Sequence, residues 1–229
     1  MTKTSASATG KTRAQEDILT SIRDCLAVSR AYDKTWSEHH RNSSDIGPNV
    51  VPEGSSEQVL DEFRKNLDLL GSHFALVQDE KAAADHVRAV IDSLGAKRIA
   101  ISDSALVKRL ADQIPDARFV ENAEASFLFE SDLGITGAQW AIAETGTLVL
   151  ESEKESHRLT SLVPPVHLCV IRAGIIRRTL GEVLELTAKN LSRTMTFITG
   201  ASRTSDIELT LAIGVHGPGQ LHVVVIGGE

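Results

Sequence analysis

The sequence predicts an α/β fold: a mostly parallel sheet flanked by helices, preceded by an N-terminal helical extension. From residue 55 onward, short apolar runs alternate with longer runs of helical period, and glycine stands at the end of helical runs at Gly71 and Gly95. Parallel strands need a crossover connection, which an intervening helix supplies. Residues 166–171, Val-His-Leu-Cys-Val-Ile, add an apolar-rich run that suits a buried strand.

Residues 1–12 are rich in Ser, Thr, Ala and Lys without an apolar period, and are expected to form a disordered tail. Over residues 13–31, Ile18, Ile22, Leu26 and Val28 fall largely on one helical face, which predicts an amphipathic helix. Residues 36–52 are polar and broken by Gly47-Pro48 and Pro52, and read as a linker. The expected organisation is therefore a tail, helix and linker over 1–54 and an α/β domain over 55–229.

In that domain Ser55 or Ser56 can cap a helix running to about Leu70, with Val59, Phe63, Leu67 and Leu70 at helical spacing and Gly71 after it. Strands over 73–77, 98–102 and 118–120 alternate with helices over 82–94 and 105–113. A short helix within 154–162 is stopped by Val163-Pro164-Pro165, since proline restricts the residue before it. A strand over 166–171, a helix over 174–186 and a strand over 194–199 follow. The turn His216-Gly217-Pro218-Gly219 then leads into a last strand at 221–226.

Composition narrows the function classes. Apolar residues at 41% and charged residues at 24% are ordinary globular values, so a largely disordered chain is excluded. A net charge of −7, scattered cations and 4% aromatics argue against nucleic-acid binding. Apolar runs such as 221–226 are too short to span a bilayer, and no charged-then-apolar signal opens the chain, so a cytoplasmic protein is expected. Cys25 and Cys169 are far apart and form no Cys-x-x-Cys pair, so this chain alone cannot ligate an iron–sulfur cluster, and no metal site is expected.

The stretch 134–151 concentrates chemistry. Trp140 to Ala143 and Leu148 to Leu150 read as strands around the turn Glu144-Thr145-Gly146-Thr147, which would hold Glu144 at a strand end. Gly134, Gly137 and neighbouring alanines leave room for close approach to the backbone, and Thr136, Thr145 and Thr147 add hydroxyls. That suits a ligand pocket with Gly146 at its turn; the alternative is a packed hairpin with a solvated glutamate. In such sheets sites usually lie at the C-terminal strand ends.

A second constellation runs from Gly200 to Glu208. Gly200, Ser202, Arg203, Thr204 and Asp206 combine a tight exit, hydroxyls, a guanidinium able to give an anion two parallel hydrogen bonds, and a carboxylate to orient it. A capped turn with Arg203 in a structural ion pair is the competing reading. His216, held by glycine and proline, is the histidine placed best for acid–base work; His157 and His167 have weaker cases.

Four ordered segments, Gly-Ile-Thr-Gly-Ala-Gln-Trp-Ala-Ile-Ala-Glu-Thr-Gly-Thr-Leu-Val-Leu (134–150), Leu-Val-Pro-Pro-Val-His (162–167), Gly-Ala-Ser-Arg-Thr-Ser-Asp-Ile-Glu (200–208) and Gly-Val-His-Gly-Pro (214–218), resemble the lactate utilisation protein C family (LutC/YkgG, LUD domain) over roughly 55–227. One departure is Ala201, where that family commonly has proline, so the loop is less rigid here. The resemblance implies a fold similar to the glucosamine-phosphate deaminase, ribose-phosphate isomerase and coenzyme A (CoA) transferase group. It also implies a part in oxidising L-lactate to pyruvate beside iron–sulfur partner subunits; the first reading is therefore a subunit of such a system that binds a small carboxylate or phosphate, or a partner surface. Within that fold group a glutamate can act as a covalent nucleophile. The second reading is thus a stand-alone CoA transferase-like or sugar-phosphate enzyme using Glu144, with His216 as acid or base. A third is an assembly module whose motif residues only shape loops.

Overall fold

The computed structural model describes residues 55–152, 158–188, 190, 192–205, 211–213 and 217–228, together with Thr20, Ser21, Arg23 and Asp24. The chain divides into two units, Met1–Glu53 and Gly54–Glu229. In the first, the four described residues are helical and exposed. The expected tail and linker, and the rest of the expected N-terminal helix, fall outside the described residues.

The second unit opens with α1 (Ser56–Leu69), started by a reciprocal cap. The Ser55 hydroxyl accepts from Gln58 N–H at 3.3 Å, and the Gln58 side chain accepts from Ser55 N–H at 3.1 Å. Phe63 and Leu67 lie one turn apart on its apolar face and are fully buried, a contribution of about 1.5–3 kcal/mol for each side chain. Gly71, at φ +71°, turns the chain into β1 (His73–Val77). Asp79 then caps α2 (Glu80–Leu94), whose Val87 and Ile91 face the core and which ends at left-handed Gly95.

There follow β2 (Ile99–Ile101), α3 (Ala105–Asp112), β3 (Phe119–Glu121), the short α4 (Ala125–Phe129) and β4 (Leu133–Thr136). The hairpin β5 (Trp140–Ile142) and β6 (Thr147–Glu151), a 3-10 turn at Arg158–Ser161 and β7 (Val166–Arg172) come next. The chain closes with β8 (Ile176–Arg177), α5 (Leu180–Thr187), β9 (Met195–Ile198), β10 (Arg203–Ser205), β11 (Leu211–Ile213) and β12 (Gln220–Ile226).

Six strands form a wholly parallel sheet in the order β1-β12-β7-β4-β2-β3. A second sheet, β8-β5-β6-β9, is mixed, and β10 pairs with β11 as a separate ribbon. Strand alternation divides the core of the parallel sheet. Leu168, Val170, Val224 and Ile226 pack with residues of α2 and α3, whereas Cys169, Ile171, Val223 and Val225 pack with α1 and with Leu148 and Leu150 of the second sheet.

The fold class agrees with the sequence, but the helix expected over 174–186 is broken. Ala173–Ile175 is a 3-10 turn, and Ile176 and Arg177 pair with Ala141 and Ile142 of β5. β-branched Ile176 suits that extended pairing, and Thr179 starts α5 afresh by accepting from Glu182 N–H. The strand β4, helix α4 and the β10–β11 ribbon are further elements that the apolar pattern did not indicate. No helix among the described residues is long and apolar enough to cross a membrane.

Candidate functional site

The turn between β5 and β6 is built as the sequence suggests, with Gly146 left-handed at φ +64° after a 3-10 turn at Ala143–Thr145. Its surroundings are supplied by the chain itself. The Asn66 side-chain amide donates to Ala143 O at 2.7 Å, and a Cβ added to Gly146 would stand 3.0 Å from Leu67 N, so the turn rests on α1. Glu144 is exposed, and its Oε1 accepts from Leu180 N–H at 2.8 Å at the start of α5. A carboxylate there satisfies a helix donor that has no partner within the helix.

Gly134 admits a close approach, and again by the chain's own backbone: a Cβ at this position would lie 2.0 Å from Thr160 O. The 3-10 turn at Arg158–Ser161 is thereby drawn against β4. Thr136, at the end of β4, is buried, and its hydroxyl meets His167 Nε2 at 2.8 Å. His167 is fully buried in β7, and its Nδ1 has no hydrogen-bond partner among the described residues. Burial pushes its pKa down from the ordinary 6.5 to about 3, so the ring is neutral near pH 7.

His167 lines a pocket of about 190 Å3 at the N-terminal ends of β7 and β12. Ser161, Thr199 and Ser202 bring hydroxyls to it, while Leu162, Phe197 and Leu221 supply apolar wall. Gly200, Gly217 and Pro218 also line it, and the loops bearing them are locked together. Ser202 N–H donates to Pro218 O at 2.8 Å, and Gly219 N–H donates to Pro165 O at 2.8 Å. A Cβ on Gly217 would press on Ser202 Cβ at 3.2 Å. No Lys, Arg, Asp or Glu appears among the described residues lining the pocket. Thr147 and Thr199 hydroxyls, 2.8 Å apart, link the pocket mouth to the β5–β6 turn. The four sequence segments therefore converge, in their described parts, on one place in the fold.

A family model described as the LUD domain matches residues 60–226 of the chain. The protein belongs to the LUD domain family. It is 32% identical over 222 residues to a lactate utilization protein C of Deinococcus radiodurans, an alignment covering 93% of this chain and 96% of that one. A lactate utilization protein C of Oceanobacillus iheyensis is 26% identical over 199 residues, covering 77% and 83% of the two chains. Among solved structures, a DUF162 family protein from Deinococcus radiodurans superposes with a TM-score of 0.57 at 27% identity, covering 76% of this chain and all of that one. The family resemblance carried by the motifs is thus established.

In this LUD domain the residues singled out by sequence divide into distinct settings. Gly200 and Ser202 line the pocket, Thr136 holds His167, and Thr145 Oγ1, Thr147 Oγ1 and Thr199 Oγ1 form a chain with steps of 2.7 and 2.8 Å. Arg203 is absent from the lining; its Nη2 donates to Leu70 O at 2.5 Å, closing the C-terminal end of α1. Thr204 lies in β10 opposite Ala212, while Asp206 and His216 lie outside the described residues. Ser161, Phe197 and Thr199 were not indicated by any motif. His167 was weakly indicated by its place two residues beyond Pro164-Pro165, on the strand parity of Cys169 and Ile171. Among the described residues no group of three or more His, Cys, Asp or Glu is arranged to hold a metal.

Proposed function

We propose that this LUD domain protein is a component of an L-lactate utilisation system in the cytoplasm. In this reading it acts beside iron–sulfur partner subunits in the oxidation of lactate to pyruvate and holds a small anionic ligand in the pocket at His167. The names of its relatives in Deinococcus radiodurans and Oceanobacillus iheyensis support the pathway. The observation that carries the ligand reading is the convergence of loops 161–162, 200–202 and 217–218 on one pocket walled in part by the buried His167; the Nδ1 of that ring has no partner among the described residues. Leaving a buried polar group unpaired costs about 1–3 kcal/mol, so a partner for that nitrogen would be stabilising.

A covalent role for Glu144, as in a stand-alone CoA transferase-like or sugar-phosphate enzyme, would fall to its Oε2, since Oε1 accepts from Leu180 N–H. The test of the pathway is reconstitution. Purified chain is mixed with the candidate iron–sulfur proteins, and lactate-dependent dye reduction is followed alongside gel filtration. Co-elution with a gain in lactate oxidation is expected, and a chain that neither co-elutes nor changes the rate has some other role.

A further inference from the structure

A second pocket, of about 320 Å3, opens where α2 ends and the loops before β2 and β3 begin. It shares no lining residue with the pocket at His167, and its chemistry differs in kind. Every described residue of its lining is either aliphatic or charged; none brings a hydroxyl, an amide side chain or an imidazole. Ile91, Ile99 and Ile114 belong to the core between α2, α3 and the sheet, and the partly buried Ala96 and Ala117 pack against that core. Together they make an aliphatic floor with no aromatic ring for a planar ligand to stack on.

The charges stand around this floor. Arg88, Lys97 and Arg118 face two carboxylates, Asp92 and Asp116, which leaves one positive charge in excess. Arg88 is engaged by Asp116. The side chains of Lys97 and Arg118 make no hydrogen bond or ion pair among the described residues; Lys97 bonds through its backbone N–H, which donates to Asp132 at 2.8 Å. The end of α2 does not account for these cations as caps. Val90 O already accepts from the Ser93 hydroxyl, Ile91 O from Ala96 N–H and Asp92 O from Gly95 N–H.

An uncommitted guanidinium beside an aliphatic hollow matches a carboxylate carried on an apolar body. The fork of Arg118 can give the carboxylate two parallel hydrogen bonds, and the alkyl stems of Arg118 and Lys97 extend the apolar wall. A single negative charge balances the lining, whereas a dianion would exceed it. The volume is room for roughly ten waters, about the bulk of a saturated acid of eight carbons. We infer that this pocket binds an aliphatic monocarboxylate of about six to eight carbons, its carboxylate on Arg118 and its chain over Ala96, Ala117 and the isoleucines. Head and chain are recognised by different residues, so each contribution can be removed alone.

The experiment is NMR of the full chain labelled at alanine and isoleucine methyls, titrated separately with octanoate, octanamide, butyrate and inorganic phosphate. Octanoate is expected to shift the methyls of Ala96, Ala117 and Ile91 saturably, while Ala141 and Ile171, in the core on the other face of the sheet, stay in place. Octanamide keeps the chain and lacks the charge, and butyrate keeps the charge and lacks most of the chain. Each should bind at least about tenfold more weakly than octanoate, and phosphate should leave the methyls unmoved. Arg118→Gln should weaken octanoate by at least about tenfold and leave octanamide as it was. No saturable shift with octanoate, equal affinity for octanamide or butyrate, or octanoate binding untouched by Arg118→Gln would each overturn the inference. The lactate reading rests on other residues and on reconstitution with iron–sulfur partners, so the two fall separately.

Discussion

The two faces of the parallel sheet treat a histidine differently, one half-buried and one fully buried. On the face of Val224 and Ile226, His222 stacks on His73 of the neighbouring strand, ring centroids 4.3 Å apart, with its Nε2 unpartnered among the described residues. On the face of Cys169 and Ile171, His167 is clamped by Thr136 and borders a pocket. The first face is backed by α2 and α3, whose apolar residues recur at helical spacing and fill the interface. Toward the strand starts, the second is backed by loops carrying Gly200 and Gly217. A Cβ on Gly200 would stand 3.2 Å from Leu70 Cβ and one on Gly217 3.2 Å from Ser202 Cβ, so glycine lets these loops approach closely. Helix backing gives a closed core, and loop backing gives a pocket.

That contrast can be broken most severely at Gly134. A Cβ 2.0 Å from Thr160 O cannot be accommodated while β4 and the Arg158–Ser161 turn both keep their places. Gly134→Ala is expected to destabilise by about 4 kcal/mol or more, read from the urea midpoint, and to perturb the His167 resonance before any other histidine. On the helix-backed face, Leu168→Ala should cost about 2–5 kcal/mol and leave pocket ligands bound with unchanged affinity in the folded fraction.

Acid sharpens the comparison. His167 and His222 have folded pKa values depressed to about 3 and about 4, both first of all by burial, against an ordinary 6.5. Charges on His73 and His86 add to the depression at His222. The unfolded chain therefore binds more protons between these values and 6.5. The stability each neutral ring contributes is complete above pH 6.5 and is lost as pH falls toward about 4 and about 3. The slope approaches about 1.4 kcal/mol per pH unit for each histidine. Thermal melts in this window should show His167→Gln and His222→Gln each removing one share of the slope; a slope unchanged by either would show that the two faces do not bury neutral rings. The smallest effect is expected from Arg203→Ala, which removes the bond to Leu70 O and should lower stability by about 1 kcal/mol without weakening pocket ligands.

Much of the scaffold was legible because its signals are local. Ser55 with Gln58, Gly71, Gly95 and Gly146 mark helix ends and a turn through constraints that act within four residues. The break inside 174–186 was not legible, since Ile175 and Ile176 have a plausible helical period and only the partner strand β5 makes Ile176 extended. Strand β4 was hidden by Gly134, a weak strand former whose place is dictated by Thr160, some 26 positions away in sequence. Some motif residues lie in loops that line the pocket at His167, yet the contacts of Arg203 and Glu144 depend on the ends of α1 and α5, which no motif contains. Sites in parallel sheets are expected at C-terminal strand ends, whereas this pocket lies at the N-terminal ends of β7 and β12.

The threonine chain from the β5–β6 turn to the pocket mouth has a further property. In each step, Thr145 to Thr147 and Thr147 to Thr199, either hydroxyl can be the donor. The row therefore has two continuous senses, every proton pointing toward the turn or every proton pointing toward the pocket, and a third arrangement in which Thr147 accepts from both neighbours. A ligand that accepts from Thr199 favours one sense and a ligand that donates to it favours the other. A change of sense needs only rotation of hydroxyl groups, so the protons of the row can reorient with every heavy atom in place.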